Sequence, residues 1–250
     1  MKKYTEIRNG SYLLRGIYEE GNQNKGLVVL FHGFTGHKNE NNFLLKNLSK
    51  ALALNGYSSL RFDFMGNGDS DGDFSEMTYN TILSDARTII NYALEINKTK
   101  KLIVGGFSMG GLTASRMGVE YSDKIDLLLL MSPAANMDEI SDRYIYKSNL
   151  KWYNDTCKDM GGYLISKDFA DSFKGINFYE NVEKFTKPVQ IIHGECDKSV
   201  PIIYSEKYLS LYKNVSRKLI SNAEHCYQSM EQRQELMDTV INFLKENEKN

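Results

Sequence analysis

The sequence predicts an α/β fold, a mostly parallel sheet covered by helices on both faces, and three observations point to it. Short β-rich apolar runs alternate with helix-period stretches along nearly all of the 250 residues, the rhythm of parallel strands joined by crossover helices. Leu102-Ile103-Val104 and the run from Leu127 to Met131 carry no polar alternation, as expected of strands buried on both faces. No internal repeat, low-complexity tract or Pro-rich linker breaks the chain, so its length suits one domain with an insertion.

The elements follow in order. Residues 12–18 and 27–31 read as strands, and 43–54 has helical periodicity that stops at Asn55-Gly56, a helix C-cap signal. Residues 57–62 form the next strand and 78–96 a long amphipathic helix. Strands at 102–105 and 125–131 flank a helix running from 108 to about 121. A strand at 189–193, a helix at 203–212, a strand at 217–220 and a terminal helix from about 230 to 245 complete the count. Residues 132–187 break this rhythm with no buried-strand run but many aromatics, among them Tyr144, Tyr146, Trp152, Tyr163, Phe169 and Phe173. The expected division is a core of 1–131 and 188–250 with a cap or lid at 132–187, where open α/β folds place lids and binding loops. Trp152 and Phe169 are candidate pocket rings, although a small cap also needs aromatics for its own core.

Composition narrows the partners. A formal net charge of -1, with 41% hydrophobic and 25% charged residues, describes a soluble globular chain with no bulk attraction to nucleic acid or acidic membranes. The N-terminal MKKYTEIRNGSY is followed by no apolar segment, so a secretory signal is not expected. The longest strongly apolar run, Leu127 to Met131, is far too short to cross a bilayer. Cys157, Cys196 and Cys226 are odd in number and lack zinc spacing, which suits reduced thiols in a cytoplasm. Without a His/Cys cluster at ligand spacing, neither a metal nor an organic cofactor is expected.

The chemistry centres on Gly106-Phe107-Ser108-Met109-Gly110. This is G-x-S-x-G after a buried strand and at the opening of a helix, the context in which a strained turn lifts a serine hydroxyl out as a nucleophile. A serine hydroxyl needs a base, and the base needs an acid to orient it. Of the four histidines, His225 lies in the loop after the last strand, where the chain order serine, acid, histidine puts the base. His32 belongs to another motif, His37 sits in a polar loop and His193 ends a strand. In His193-Gly194-Glu195-Cys196-Asp197 the favoured acid is Asp197, with Glu195 as the alternative. The oxyanion formed on the attacked carbonyl needs donors, assigned to the backbone N–H groups of Phe34, after the strand at 27–31, and Met109. The turn Gly66-Asn67-Gly68-Asp69 is glycine-rich but lacks the lysine of a phosphate loop and carries acids instead, so a structural turn is expected there.

Beyond these residues, the segments FHGFTGHK, RFDFMGNGDSDGDF followed by MTYN, GFSMGG, HGECDKSVP and AEHCY resemble the α/β-hydrolase superfamily over nearly the whole chain, and within it the bacterial feruloyl (cinnamoyl) esterases. The resemblance implies a triad of Ser108, Asp197 and His225 and an inserted cap holding a hydroxycinnamoyl group. It makes Asp138 a candidate acid for the phenolic hydroxyl. The turn departs from the family's usual G-H-G, reading Gly66-Asn67-Gly68.

The expected activity is that of a serine carboxylester hydrolase acting through an acyl-enzyme, which the resemblance directs to hydroxycinnamate (feruloyl-type) esters, with a homodimer left open. Its alternatives are a monoacylglycerol lipase, another small-ester carboxylesterase, a serine aminopeptidase holding an amine with Asp138, Glu139 or Asp142, and a hydrolase-like binding protein without turnover. A histidine base predicts activity that falls below about pH 6.

Overall fold

The computed structural model describes residues 1–99 and 101–248. In chain order the elements are β1 (Lys2–Asn9), β2 (Tyr12–Glu19), β3 (Gly26–Phe31), α1 (Leu44–Leu54), β4 (Tyr57–Phe62), α2 (Tyr79–Ile96), β5 (Leu102–Phe107), α3 (Met109–Glu120) and β6 (Leu127–Met131). There follow α4 (Met137–Asp142), β7 (Cys157–Asp159), β8 (Leu164–Ser166), α5 (Lys167–Ser172), β9 (Val189–Gly194), α6 (Ile203–Leu211), β10 (Val215–Ile220) and α7 (Met230–Glu246).

Eight strands form one sheet in the order β1-β2-β4-β3-β5-β6-β9-β10. The β1–β2 and β2–β4 pairs are antiparallel and every later pair is parallel. The two-residue side-chain period of a strand splits the core. Leu27, Val29 and Phe31 of β3 join Ile82 and Ile89 of α2 and Leu112 and Met117 of α3 on one face. Val28 and Leu30 join Leu45 and Leu48 of α1 and Leu236 and Leu244 of α7 on the other. Burial on both faces is the reason these strands read as unbroken apolar runs.

Two features depart from the sequence expectation. β1 was not anticipated: it is a largely exposed edge strand, KKYTEIRN, in which Ile7 alone is buried. Its charges suit a sheet edge, where they discourage pairing with another chain. The 132–187 segment, expected to lack buried strands, contains a short antiparallel hairpin, β7 with β8, apart from the main sheet. This segment packs onto the loops at the C-terminal ends of the strands. Phe169 stacks on Phe34 at 5.0 Å, the Tyr163 hydroxyl donates to the Thr35 carbonyl at 3.1 Å, and Asn136 Nδ2 donates to the Ser199 carbonyl at 3.1 Å.

Candidate active site

Ser108 sits between the end of β5 and the first turn of α3 with φ 56° and ψ -118°, a left-handed conformation that a residue with a Cβ holds only when its surroundings force it. The neighbouring glycines are one reason the turn can be this tight. A Cβ at Gly106 would lie 2.1 Å from the Gly110 carbonyl oxygen, and one at Gly110 would lie 2.2 Å from the Phe31 carbonyl oxygen. Ser108 N–H donates to the Met131 carbonyl at 2.9 Å, tying the turn to β6.

The serine hydroxyl meets His225, with Ser108 Oγ 2.9 Å from Nε2, while His225 Nδ1 lies 2.6 Å from Asp197 Oδ2. A carboxylate at that distance only accepts, so the ring hydrogen belongs on Nδ1 and Nε2 faces the serine with its lone pair. Asp197 Oδ1 accepts from the Ser199 and Val200 amides at 3.0 and 2.8 Å. Its Oδ2 also lies 3.4 Å from His193 Nε2, which donates to the Val200 carbonyl at 2.9 Å. Burial by itself pushes the Asp197 carboxyl up, but the bonds from His193 and His225 outweigh it and hold the group well below the usual carboxylate range. Glu195, the alternative acid, lies instead at the surface, where Oε2 accepts from the Asn222 amide at 3.4 Å. The two loops are held in register at Gly194, where a Cβ would meet the Ala223 carbonyl at 2.5 Å, and by the Cys196 amide donating to the same carbonyl at 2.8 Å.

Across the serine lies the loop after β3. A Cβ on Gly33 would stand 3.2 Å from Ser108 Cβ, so this backbone runs directly against the serine. The amides of Phe34 and Met109 have no hydrogen-bond acceptor among the described residues; for Met109, first residue of α3, helix geometry leaves the N–H without an intrahelical partner. His32, fully buried, is lowered in pKa by that burial. Its Nε2 accepts from the Phe64 amide at 3.0 Å, which leaves Nδ1–H to donate to the Gly33 carbonyl at 2.8 Å.

The sequence-nominated residues of the 132–187 segment divide. The Phe169 ring is buried between Phe34, Phe74 and Phe173. Asp138 opens α4 near Tyr179 and Tyr204. The Tyr204 hydroxyl is pushed up to about 12, first by desolvation and then by its 2.5 Å bond to Glu139 and the nearby Asp138. Trp152 stands half-exposed, with Lys158 and Lys167 Nζ at 5.0 and 4.8 Å from its ring. The sequence gives no sign that His193 lies beside the acid, or that Tyr163, one of the aromatics of 132–187, holds the Thr35 carbonyl through its hydroxyl. His193 lies only four residues before Asp197, but nothing in the sequence says that its ring turns back toward that acid, and Tyr163 meets Thr35 only through the fold.

The glycine-rich turn closes on an internal carboxylate. Asp63, with no exposed surface, accepts from Lys38 Nζ at 2.6 Å, from the Lys38 amide at 2.5 Å and from the Asp69 amide at 2.9 Å. A Cβ on Gly68 would lie 2.3 Å from Asp63 Oδ2. Among the described residues no group of three or more His, Cys, Asp or Glu could hold a metal ion.

Comparison with known proteins finds the same fold. Est1E from Butyrivibrio proteoclasticus, in a structure with bound ferulic acid, is 28% identical with a TM-score of 0.88, covering 98% of this chain and 100% of that one. The lysophosphatidylserine lipase ABHD12 of Danio rerio is 29% identical over 78% of this chain and 49% of its own length. The human protein ABHD12B is 26% identical over 76% of this chain and 51% of its own. The chain thus spans about half the length of these curated relatives. The family model described as serine aminopeptidase, S33 (Hydrolase_4) matches residues 22–162, which include the loop after β3 and the serine turn. On that match, and on an eight-stranded sheet carrying a G-x-S-x-G serine between strand and helix, the chain belongs to the serine aminopeptidase S33 family of α/β-hydrolases.

Proposed function

We propose that the protein is a serine carboxylester hydrolase working through an acyl-enzyme on Ser108. The observation that carries this is the unbroken contact from Ser108 Oγ to His225 at 2.9 Å and from His225 to Asp197 at 2.6 Å, mounted on a serine held in strained backbone. Ser108 Oγ attacks the ester carbonyl carbon as its proton passes to His225 Nε2, and the imidazolium so formed is held by the ionised Asp197. The carbonyl electron pair moves onto oxygen, where the Phe34 and Met109 amides receive it. Collapse of this adduct breaks the bond to the alcohol oxygen, which takes the proton from His225 and leaves. Water then gives a proton to His225 and attacks the acyl carbon, and the second collapse returns the proton to Ser108 Oγ and frees the acid.

For the acyl group we favour a hydroxycinnamate. An aryl-acrylate is planar and stacks on aromatic faces, and the half-buried Phe34, Tyr144 and Tyr163, backed by the buried Phe74 and Phe169, form a connected aromatic cluster beside the serine loop. Asp138 is the proposed acceptor for the phenolic hydroxyl. Trp152, its ring already engaged by two lysines, belongs at the outer rim of a cap formed by 132–187. The similarity to Est1E, which binds ferulic acid in its structure, supports the same reading. A second reading, a lysophospholipid or monoacylglycerol ester, is favoured by the similarity to the lysophosphatidylserine lipase.

Hydrolysis of methyl ferulate, p-nitrophenyl butyrate, a monoacylglycerol, lysophosphatidylserine and an aminoacyl-arylamide tests these readings together. Methyl ferulate should give the highest kcat/KM. Preference for either lipid would replace the hydroxycinnamate reading with the second one, and preference for the arylamide would make the protein an aminopeptidase in activity as well as family. Ser108→Ala should lower turnover of the best substrate by about 10⁴-fold or more.

A further inference from the structure

Glu40 is a buried acid that the mechanism above does not use. It is 3% exposed, its Oε2 accepts from the Gly33 amide at 2.6 Å and its Oε1 from the Asn41 amide at 2.9 Å. Its own backbone stands at φ 61° and ψ 165°, a region almost reserved for glycine. A residue with a side chain held there is strained, and what the strain achieves is the aim of the carboxylate inward. The loop folds around it: a Cβ on Gly36 would lie 2.8 Å from Glu40 Oε2 and 3.0 Å from the Gly33 carbonyl oxygen.

The target of that aim is the stretch of backbone beside the nucleophile. Two successive peptide units meet at Gly33. The first, His32 C=O with Gly33 N–H, is held by Glu40 on its N–H, and its carbonyl oxygen packs against α3, 2.6 Å from where a Cβ on Gly110 would be. The second, Gly33 C=O with Phe34 N–H, is held on its carbonyl oxygen by His32 Nδ1 at 2.8 Å and by the Gly36 amide at 3.1 Å. No cis peptide bond occurs among the described residues, so in the second unit the Phe34 N–H points away from those donors.

We infer that Glu40 is a positioning residue for the oxyanion site: it anchors the Gly33 amide, and with His32 on the adjoining carbonyl it sets the direction of the Phe34 N–H. The inference rests on the esterase reading of Ser108. Its value to catalysis lies in preorganisation, because a donor aimed before the charge develops needs no reorganisation when it does. The group touches neither substrate nor reacting atoms.

Glu40→Gly is the discriminating variant, since it removes the carboxylate and at the same time relieves the backbone strain. It and Glu40→Gln are compared with the wild type and with Ser108→Ala, using p-nitrophenyl butyrate for kcat and KM, an alkyl boronic acid as tetrahedral analogue, and thermal melting. Glu40→Gly is expected to melt close to the wild type while kcat falls about 10- to 100-fold and KM stays within about two-fold. The boronic acid should bind more weakly by a similar factor. Glu40→Gln, which keeps one acceptor for the Gly33 amide, should lose less. If Glu40→Gly folds and keeps wild-type kcat and boronate affinity, the positioning role is wrong, and should Glu40→Gly fail to fold, Glu40→Ala, which likewise removes both acceptors, decides by the same measure. Full activity in Ser108→Ala would overturn the esterase reading itself; inactive Ser108→Ala beside wild-type-like Glu40 variants overturns only the role of Glu40.

Discussion

At the scale of single residues, the serine turn is limited by backbone contact. Gly110 is the sharpest case, because an added methyl group has the Phe31 carbonyl 2.2 Å away and the His32 carbonyl 2.6 Å away, and backbone cannot swing aside as a side chain tip can. Gly110→Ala should therefore push α3 away from β3, lowering the melting temperature and reducing kcat by about 10²-fold or more; a variant with wild-type kcat would show that the turn tolerates the shift. Asp197 offers a pH prediction. Its folded-state pKa is depressed by His193 and His225 in spite of burial, so its contribution to stability is fully present above the unfolded carboxylate value of about 3.9. That contribution is lost as the pH falls through the lower folded-state value. Urea midpoints of the wild type and Asp197→Asn should accordingly hold their separation above about pH 4 and converge between about pH 4 and about pH 2, by the linkage between protonation and folding. A gap that stays constant over that interval would contradict the cause assigned. G-x-S-x-G was legible in sequence because its constraint is local, whereas the choice of Asp197 over Glu195 was not settled by position. Both acids lie in one loop, and only the direction in which the loop leaves β9 sends one to His225 and the other to solvent.

At the scale of elements, the loops on the C-terminal side of the sheet are built around buried charge. The turn 66–69 wraps Asp63, whose partner Lys38 has a side chain only 8% exposed. Removing one member of a buried pair leaves the other uncompensated, so Asp63→Ala should cost about 3–5 kcal/mol in urea unfolding. A loss below about 1 kcal/mol would mean that the exposed Asp69, 2.5 Å from Lys38 Nζ, suffices alone. Tyr163 joins the 132–187 segment to the serine side by a single hydroxyl bond to Thr35. Tyr163→Phe should cost about 1 kcal/mol or less of stability, and any change in kcat beyond about two-fold would mean that the contact also holds the loop in place. Parallel strands and long helices could be located from periodicity alone. β1 and the β7–β8 hairpin could not, because an edge strand with one buried residue and a three-residue pairing leave too short a hydrophobic pattern to detect.

At the scale of the whole molecule, two parts of the chain meet beside the serine loop. The core brings the serine and its partners. Phe34 of the loop after β3 and Phe169 of the 132–187 segment stack at 5.0 Å, with ring planes 19° apart, so the two parts share one buried aromatic contact. No helix among the described residues is long and apolar enough to cross a membrane.

The sequence by itself determined the parallel sheet and the strand–serine–helix turn, because each depends on neighbours a few residues apart or on hydrophobic period. Only the tertiary structure decided which acid serves His225, that Glu40 turns inward to the Gly33 amide, and that Phe169 lies against Phe34 while Trp152 faces lysines at the surface. Those outcomes depend on directions set where separate loops converge at one end of the sheet, and a direction in space leaves no periodic trace in a chain.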